Sequence, residues 1–147
     1  MVKPITARFG KMLIKLGDGA ATEAFVAPCG FTSKSLSLSK NLNEVTIPDC
    51  DDPDAASWVA RDVESLTASV SGDGVLAADA VKTWQDYFNS NNSKNVQITV
   101  EFSTGKMMYV GAMHLESFEV SGESGNRIQV SVSLQSDGEM VGTWTAA

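Results

Sequence analysis

The side chains of this chain that could do chemistry are few, and the single histidine is the first of them. His114 lies between Met113 and Leu115 in a segment typical of a strand. A nucleophilic triad needs a serine and a carboxylate that converge on the imidazole, and the sequence does not bring such a set together. We therefore interpret His114 as a packed or surface histidine and expect no catalytic residue.

The acidic run Asp49–Asp54 offers several carboxylate oxygens, which are the ligands that calcium prefers. It lacks the Asp-x-Asp-x-Asp-Gly spacing with a distal Glu that a calcium loop uses, so we interpret it as a solvated loop. Cys29 and Cys50 lack the Cys-x-x-Cys spacing of a metal site. We interpret them as buried reduced thiols, with a disulfide left open, and expect no metal and no cofactor.

Two glycine-containing segments and a set of aromatic residues complete the search for chemistry. Gly72-Asp73-Gly74 and Gly122-Glu123-Ser124-Gly125 are short and acidic, whereas a phosphate loop needs a Lys and a following helix. We interpret both as hairpin turns. The aromatic residues could form a carbohydrate platform, but most follow apolar stripes, which favours core packing. They are Trp58, Trp84, Tyr87, Phe88, Phe102, Tyr109 and Phe118. Trp144 is a candidate anchor against a neighbouring subunit.

Length and charge narrow the classes of function. The chain has 147 residues, of which 43% are hydrophobic and 20% charged, so we expect one domain over residues 1–147. The net charge of −7 argues against gripping nucleic acid, because attraction to phosphate needs Lys and Arg. An acidic wall would instead let DNA slide past. No signal peptide and no apolar run of bilayer length is present, which predicts a protein made and kept in the cytoplasm without a membrane anchor.

Alternation with period two is the dominant pattern of the chain. In Ser65–Ser71, for example, Leu66, Ala68 and Val70 point one way and Ser or Thr the other. This pattern is typical of half-buried antiparallel strands, so we expect a mainly β fold. The alternating segments are Ser33–Lys40 (with Leu36 and Leu38 inward), Ser65–Ser71, Asn95–Ser103 and Arg127–Gln135.

Further elements follow from local signals. Lys11–Leu16 is a strand candidate that ends in the turn Gly17-Asp18-Gly19, and Glu44–Pro48 is a candidate partner of Ser33–Lys40. Pro28 predicts that the strand Glu23–Phe31 lies at an edge or ends early. The segment Ala55–Val63 fits either a helical turn or a strand. Three turns are predicted at Gly72–Gly74, Thr104–Lys106 and Ser136–Gly138, and a hairpin loop at Gly122–Asn126.

The segment Leu76–Asn89 is the one convincing helix, and we expect it to flank the sheet. Its apolar stripe consists of Ala77, Ala80, Val81, Trp84 and Phe88. In the long strand Met107–Val120 the apolar register changes from odd to even positions. One extra residue near Glu116–Ser117, a β-bulge, explains that change.

The order of these elements resembles a known family over about residues 10–142. The pattern comprises the Phe31–Ser39 strand, the Trp58 segment, the Leu66–Val70 strand, the glycines 72 and 74, and a helix with Trp84 and Phe88. It ends with Tyr109–Ala112, Leu115–Val120 and Arg127–Gly138. This order resembles the tail tube (major tail) proteins of long-tailed bacteriophages and of phage-like gene transfer agents.

The resemblance implies a β-sandwich or barrel-like domain with one flanking helix, a loop over about residues 48–57 and a helix over about 76–89. It implies hexameric rings that stack into a hollow tube, which conducts DNA during ejection without binding it tightly. It further implies partners at the tail tip, a tape measure protein and a tail terminator. The protein would lie in the virion tail after assembly in the host bacterial cytoplasm.

Two groups of site residues follow from this resemblance together with the polar sides of the alternating strands. The candidate lumen-facing residues are Ser33, Ser35, Ser37, Ser39, Glu101, Glu116, Glu119, Ser131, Ser133 and Gln135. The candidate inter-subunit loop residues are Asp49, Asp51, Asp52, Asp54, Gly122, Glu123, Asn126 and Arg127. The resemblance implies an inner tube wall that is uncharged or acidic. Three cations do not fit such a wall, and we interpret them as partners of salt bridges between subunits. They are Lys34, Lys40 and Arg127.

Three other functions remain open on the sequence. The first is the tube of a contractile tail, a secretion system or an injection particle, which would share the fold. The second is a monomeric β-sandwich module that binds carbohydrate or protein through an exposed aromatic patch. The third is a hydrolase, which would depend on His114 alone.

Overall fold

The computed structural model describes residues 3–17 and 25–146. The turn predicted at Gly17-Asp18-Gly19 and the first residues of the strand predicted at Glu23–Phe31 fall largely outside them. A short 3₁₀ helix, Phe9–Lys11, precedes the first strand. The strands are β1 Met12–Gly17, β2 Phe25–Val26, β3 Phe31–Thr46, β4 Val59–Val75, β5 Lys94–Phe102, β6 Gly105–Ser121 and β7 Gln129–Ala146, and the helix α1 is Ala78–Asn89.

The seven strands form one antiparallel sheet in the order β2-β1-β5-β6-β7-β4-β3. This sheet curls on itself, because a side chain of β3 reaches β1 although four strands separate them in the sheet. The Nζ of Lys34 donates a hydrogen bond of 2.7 Å to the carbonyl of Met12 and lies 4.6 Å from the centre of the Phe9 ring. Partial burial lowers the pKa of Lys34.

The core lies inside this curl and is covered on one side by α1. The chain is mainly β because its alternating segments each place one apolar row inside. The core residues come from five strands and the helix, and they are Ile14, Leu16, Val70, Val96, Ile98, Met113, Val130, Val132, Leu134, Ala80, Trp84 and Tyr87. The predicted mainly β fold with one helix is confirmed.

The helix presents a different stripe from the predicted one. Ala80, Trp84 and Tyr87 are buried, whereas Phe88 is 54% exposed and Val81 is also exposed, so the prediction for those two residues was wrong. The reason is the side chain of Tyr87, whose ring stacks on Trp84 and whose hydroxyl donates a hydrogen bond to the Met113 carbonyl. Phe88 lies one position further round the helix and therefore faces solvent.

The Tyr87 hydroxyl fixes the helix to β6, and its removal has a predictable cost. In a Tyr87→Phe variant the buried carbonyl of Met113 loses its side-chain donor, while the aromatic packing remains. We expect a loss of about 1–2 kcal/mol in the free energy of unfolding. Urea titration of both proteins followed by tryptophan fluorescence measures this difference, and an unchanged midpoint would contradict it.

The same side chain predicts how stability changes at alkaline pH. Burial raises the pKa of Tyr87 from 10 to about 12, although the hydrogen bond from the Lys94 backbone opposes that shift. The neutral phenol therefore stabilises the fold fully below pH 10, and this contribution is lost as pH rises from 10 through 12. We expect Tyr87→Phe to flatten the fall in melting temperature over that window, and an equally steep fall in the variant would contradict this assignment.

The β3–β4 hairpin is longer than the sequence indicated. β3 continues to Thr46 and pairs with β4 from Thr46 opposite Val59 onwards, so Glu44–Pro48 is not a returning strand. Its candidate pairing with Ser33–Lys40 was wrong, because both segments belong to the same strand. The ambiguous segment Ala55–Val63 becomes strand from Val59.

Two predicted turns are instead parts of strands. Gly72 and Gly74 lie inside β4, where a Cβ on Gly74 would stand 2.1 Å from the Gly30 carbonyl oxygen, so the absence of a side chain permits close pairing with β3. Ser136-Asp137-Gly138 lies within β7 as an irregularity opposite the step from Gly111 to Met113. There Gly138 adopts a φ of 101°, which suits glycine.

Other local predictions hold. The register shift between Leu115 and Ser117 confirms the bulge, with Glu116 as the extra residue. β2 is an edge strand that ends before Pro28, as predicted. Cys29 and Cys50 are free, but both are exposed rather than buried because they lie in segments outside the core.

Candidate functional site

Four strand segments place their small polar side chains on one surface. β3, β4, β7 and the second half of β6 pair so that Ser35, Ser71, Ser133 and Ser117 stand side by side across the sheet. Directly opposed residues share a face, so each such row continues the same surface. We name this surface the polar face. It consists of Ser33, Ser35, Ser37, Ser39, Thr67, Ser69, Ser71, Asp73, Ser131, Ser133, Gln135, His114, Ser117 and Glu119.

Hydrogen bonds between strands tie many of these side chains to one another. The hydroxyls of Ser35 and Ser71 share a hydrogen bond, and those of Ser39 and Thr67 lie 2.7 Å apart. The Nε2 of Gln135 donates to a carboxylate oxygen of Glu116 at 2.7 Å, which places the bulged Glu116 beside the polar face. The donors of this surface are therefore partly occupied by their own neighbours and give little to a ligand.

The charges on and beside the polar face are acidic. Asp73 and Glu119 belong to it, and Glu116 lies at its side. Asp137 approaches the Nε2 of His114 at 3.1 Å, and both side chains are about half exposed. The residues that define the polar face include no Lys or Arg.

Two of the three cations noted in the sequence point away from this face. Lys34 stands opposite Gly72, and its ammonium group donates to the Met12 carbonyl of the same chain instead of pointing to the polar face. Lys40 pairs with Leu66, one position out of phase with the Ser33–Ser39 row. Arg127 is exposed in the segment before β7.

The structure brings nine of the ten candidate lumen residues together. The exception is Glu101, which lies on β5 opposite Lys106, with the Lys11 ammonium 3.9 Å from its carboxylate. β4 supplies part of the face that sequence reasoning did not select, namely Thr67, Ser69, Ser71 and Asp73. The alternation in Ser65–Ser71 was the signal that could have identified most of them.

The four-strand surface has an unpaired edge on each side. β3 is the last strand of the sheet, so its outer edge has no partner among the described strands. On the other side β5 stops where Lys94 pairs with Met113, so residues 114–121 of β6 bond only to β7. Open edges of this kind are templates for pairing with another chain.

On the N-terminal side of Ser69, β4 no longer pairs with β7, and the β3–β4 hairpin leaves the rest of the sheet. It extends as a two-stranded arm, residues 41–65, with an exposed loop of residues 47–58 at its end. Leu38 and Leu66, which the sequence assigned inward, are 57% and 68% exposed at the base of this arm. That assignment was wrong because β7 no longer runs beside β4 there.

The two groups of candidate loop residues lie at opposite ends of the sheet. The acidic group Asp49–Asp54 is at the end of the arm, where the Asp51 amide donates to Asp49 Oδ1 at 2.9 Å. Gly122, Glu123, Asn126 and Arg127 belong to the loop between β6 and β7, beside the other end of β4 where Val75 pairs with Gln129. Trp144, the other candidate anchor, is 51% exposed and packs its ring 6.1 Å from that of Phe102.

Residues 3–17 and 25–146 contain no cluster of three or more His, Cys, Asp or Glu side chains that could hold a metal ion. No helix in the described part of the chain is long and apolar enough to cross a membrane. The distinctive features are instead a polar face, open strand edges and an uncovered arm. They define a mainly β structural protein whose surfaces are suited to contacts with other chains.

The chain belongs to the phage tail tube protein family, whose model matches residues 6–142. No curated protein sequence matches it. It is similar in structure to a chain from the tail of an empty gene transfer agent particle, with a TM-score of 0.76 and 20% identity, covering 94% of this chain and 99% of the other. A chain of the SPP1 tail tube gives a TM-score of 0.67 and 12% identity over 97% and 80% of the two chains.

Similar folds also occur in contractile particles. A chain from the sheath–tube complex of an extracellular contractile injection system gives a TM-score of 0.62 and 12% identity, covering 97% of this chain and 93% of the other. The fold is therefore that of tail tube proteins, and membership of the family identifies this chain as a structural subunit of a tail tube.

Proposed function

We propose that this chain, as a single non-enzymatic domain, closes into hexameric rings that stack into a hollow tube, and that DNA passes through the tube during ejection. One observation carries the proposal: the polar face lies on a four-strand surface that has an open edge on each side. In a ring, β3 of one copy would pair with residues 114–121 of β6 of the next.

The strand directions support this closure. The four strands alternate in direction from β6 through β7 and β4 to β3, so β3 of one copy is antiparallel to β6 of its neighbour. An even number of strands in each copy keeps this alternation around the whole ring. Closure satisfies the edge hydrogen bonds and removes the open edges that would otherwise cause aggregation.

The size of such a ring suits a channel. Six copies of a four-strand unit, with strands about 4.8 Å apart and tilted by about 40°, make a barrel about 48 Å across at the backbone. The number of six is supported by the C6 symmetry of the gene transfer agent tail to which this chain is similar. Even the smaller porin barrels enclose water, so this larger barrel has an open lumen.

The polar face suits contact with passing DNA. Its small hydroxyls are partly bonded to one another, and its charges are acidic. Tight binding of DNA requires Lys and Arg that release counterions from phosphate, and the polar face has neither. An acidic wall repels the phosphates and therefore lowers the friction of passage.

The two ends of each copy supply contacts between rings. The arm with its acidic loop lies at one end of the sheet and the loop between β6 and β7 lies at the other. We assign Asp49, Asp51, Asp52 and Asp54 of the arm, and Gly122, Glu123, Asn126 and Arg127 of the β6–β7 loop, to these contacts. The tube would end on tail tip and tail terminator proteins and enclose a tape measure protein.

The proposed location is the virion tail, after assembly in the host bacterial cytoplasm. The similarity to a chain of the sheath–tube complex of an extracellular contractile injection system favours one second candidate, the inner tube of a contractile injection particle. In that case the ring would be the same and the cargo would differ.

Electron microscopy of the purified chain tests ring formation, and a pair of proline variants tests the edge. The backbone amides of successive residues in a strand point to opposite edges of that strand. Of the two variants Glu119→Pro and Val120→Pro, one therefore removes a hydrogen bond from β6 to β7. The other variant removes only an amide donor on the open edge of β6. We expect the unaltered chain to form rings or rods. We expect one proline variant to be unstable and the other to be a folded monomer that forms no rings.

Circular dichroism and light scattering separate the two proline variants. A folded variant that still forms rings would show that this edge is not used. An unaltered chain that stays monomeric at high concentration, without rings or rods in micrographs, would contradict the proposed function itself.

A further inference from the structure

An apolar groove lies at the base of the arm, where β4 leaves β7. The Ala68 amide donates to Ser136 Oγ at 3.0 Å, and beyond this point the two strands diverge. The resulting groove has a volume of about 750 Å³. We name it the fork groove; its apolar lining is Leu38, Leu66, Ala68 and Met140.

The end of the same arm carries a large aromatic side chain without cover. Trp58 is 96% exposed, compared with 1% for Trp84 and 51% for Trp144, and nearby Ile47 is 69% exposed. A tryptophan buries about 150–250 Å² when it is packed, so its complete exposure leaves a large apolar surface in water.

Trp58 cannot fill the fork groove of its own chain. β3 and β4 stay paired from Lys40 opposite Leu66 to Thr46 opposite Val59, with a register shift only between Asn41 and Leu42. The strand from Leu66 to Trp58 therefore spans about 26 Å at about 3.3 Å for each residue. A paired hairpin cannot fold back on itself, so any occupant of the groove from this arm belongs to another copy.

We propose that Trp58 of one copy inserts into the fork groove of a copy in the adjacent ring. This inference rests on the proposed function, since it requires rings that stack. The contact joins two different surfaces, the end of one arm and the base of another. Such a heterologous contact does not close on itself and repeats along an open filament, as a tube requires.

The buried area explains why this contact would act only between complete rings. One tryptophan with its surroundings buries a few hundred Å², below the roughly 1,200 Å² of a stable pair. Six such contacts made together at one ring junction exceed that threshold and reinforce one another. Lys40, Glu64 and Glu139 also line the groove with mixed charge, so apolar burial supplies the affinity.

Substitution at the arm tests the inference in the full-length chain. We expect Trp58→Ser to leave rings intact but to shorten rods in micrographs at least tenfold, because the junction loses its apolar anchor. Phe88→Ser is the matched control, since Phe88 is an exposed aromatic on α1 outside the groove. Rods of undiminished length in Trp58→Ser, beside unaltered rods in the control, would overturn the inference and leave the proposed function standing.

A cross-link tests the partner directly. In a background with Cys29→Ser and Cys50→Ser, we combine Ser57→Cys, which leaves the neighbouring Trp58 in place, with Leu66→Cys and oxidise assembled rods. We expect disulfide-linked chains between rings, seen as a ladder on a denaturing gel without reductant. Ser57→Cys with Val26→Cys, an exposed position on β2, should give no ladder.

Rods that give no ladder with Leu66→Cys, or that give one equally with Val26→Cys, would overturn the assignment of the groove. Failure of the unaltered chain to form rings or rods would instead contradict the proposed function and with it this inference.

Discussion

Tubes assembled from a Ser33→Lys, Ser37→Lys variant are expected to retain duplex DNA that the unaltered tube releases. Both serines are exposed on the polar face of β3, and neither side chain contributes to the core. The variant adds two cations in each copy, hence a ring of cations repeated along the lumen. With six or more phosphate contacts, binding should be tight at low salt and fall about 10³-fold or more between about 50 and 200 mM salt.

Co-sedimentation of labelled linear DNA with open-ended tubes measures this effect. The matched control is Gln85→Lys, Asn89→Lys, which adds the same charge on the exposed face of α1, away from the polar face. We expect the control to bind at the level of the unaltered tube. If both variants retain DNA equally, or if the β3 variant retains none, the polar face does not line the channel.

The second large effect is expected from one methyl group at Gly74. A Cβ there would lie 2.1 Å from the Gly30 carbonyl oxygen, 2.7 Å from the Phe31 Cα and 2.8 Å from the Thr32 amide nitrogen. These are backbone atoms, so relief requires that β3 move away from β4. We expect Gly74→Ala to lower the free energy of unfolding by about 3 kcal/mol, with a fall of about 10 °C in melting temperature.

Gly122→Ala is the control for Gly74→Ala. Gly122 lies in the β6–β7 loop, and a Cβ there would meet nothing within 4 Å. Calorimetry should therefore find its melting temperature unchanged within about 2 °C. We also expect Gly74→Ala to reduce ring formation, because the displaced β3 carries the open edge. A melting temperature for Gly74→Ala close to that of the unaltered protein would show that the β3–β4 contact is looser than the structure indicates.

Together these predictions describe a protein whose function depends on surfaces rather than on a pocket. In the proposed tube the polar face would offer DNA little to bind, and the open edges would find hydrogen-bond partners only in another copy. The effect of a polar-face substitution should therefore appear in transport, whereas the effect of an edge substitution should appear in assembly.

The sequence alone determined the mainly β class, the single helix and the extra residue at Glu116. Period-two alternation and a change of apolar phase are local signals, and they follow directly from strand geometry. The same alternation predicted the serine rows of β3 and β7, which the structure places side by side with β4 between them.

The tertiary structure decided what each strand faces and where each strand ends. Gly72 and Gly74 read as a turn because glycine favours turns, but close pairing with β3 keeps them in β4. Leu38 and Leu66 alternate like core residues, but they are exposed because β7 diverges from β4 beside them. The sequence pattern predicts Lys34 as a surface cation, but the curl of the sheet brings the Met12 carbonyl within hydrogen-bond distance of its ammonium group. Pairing between distant strands decides these outcomes, and a local sequence pattern does not encode that pairing.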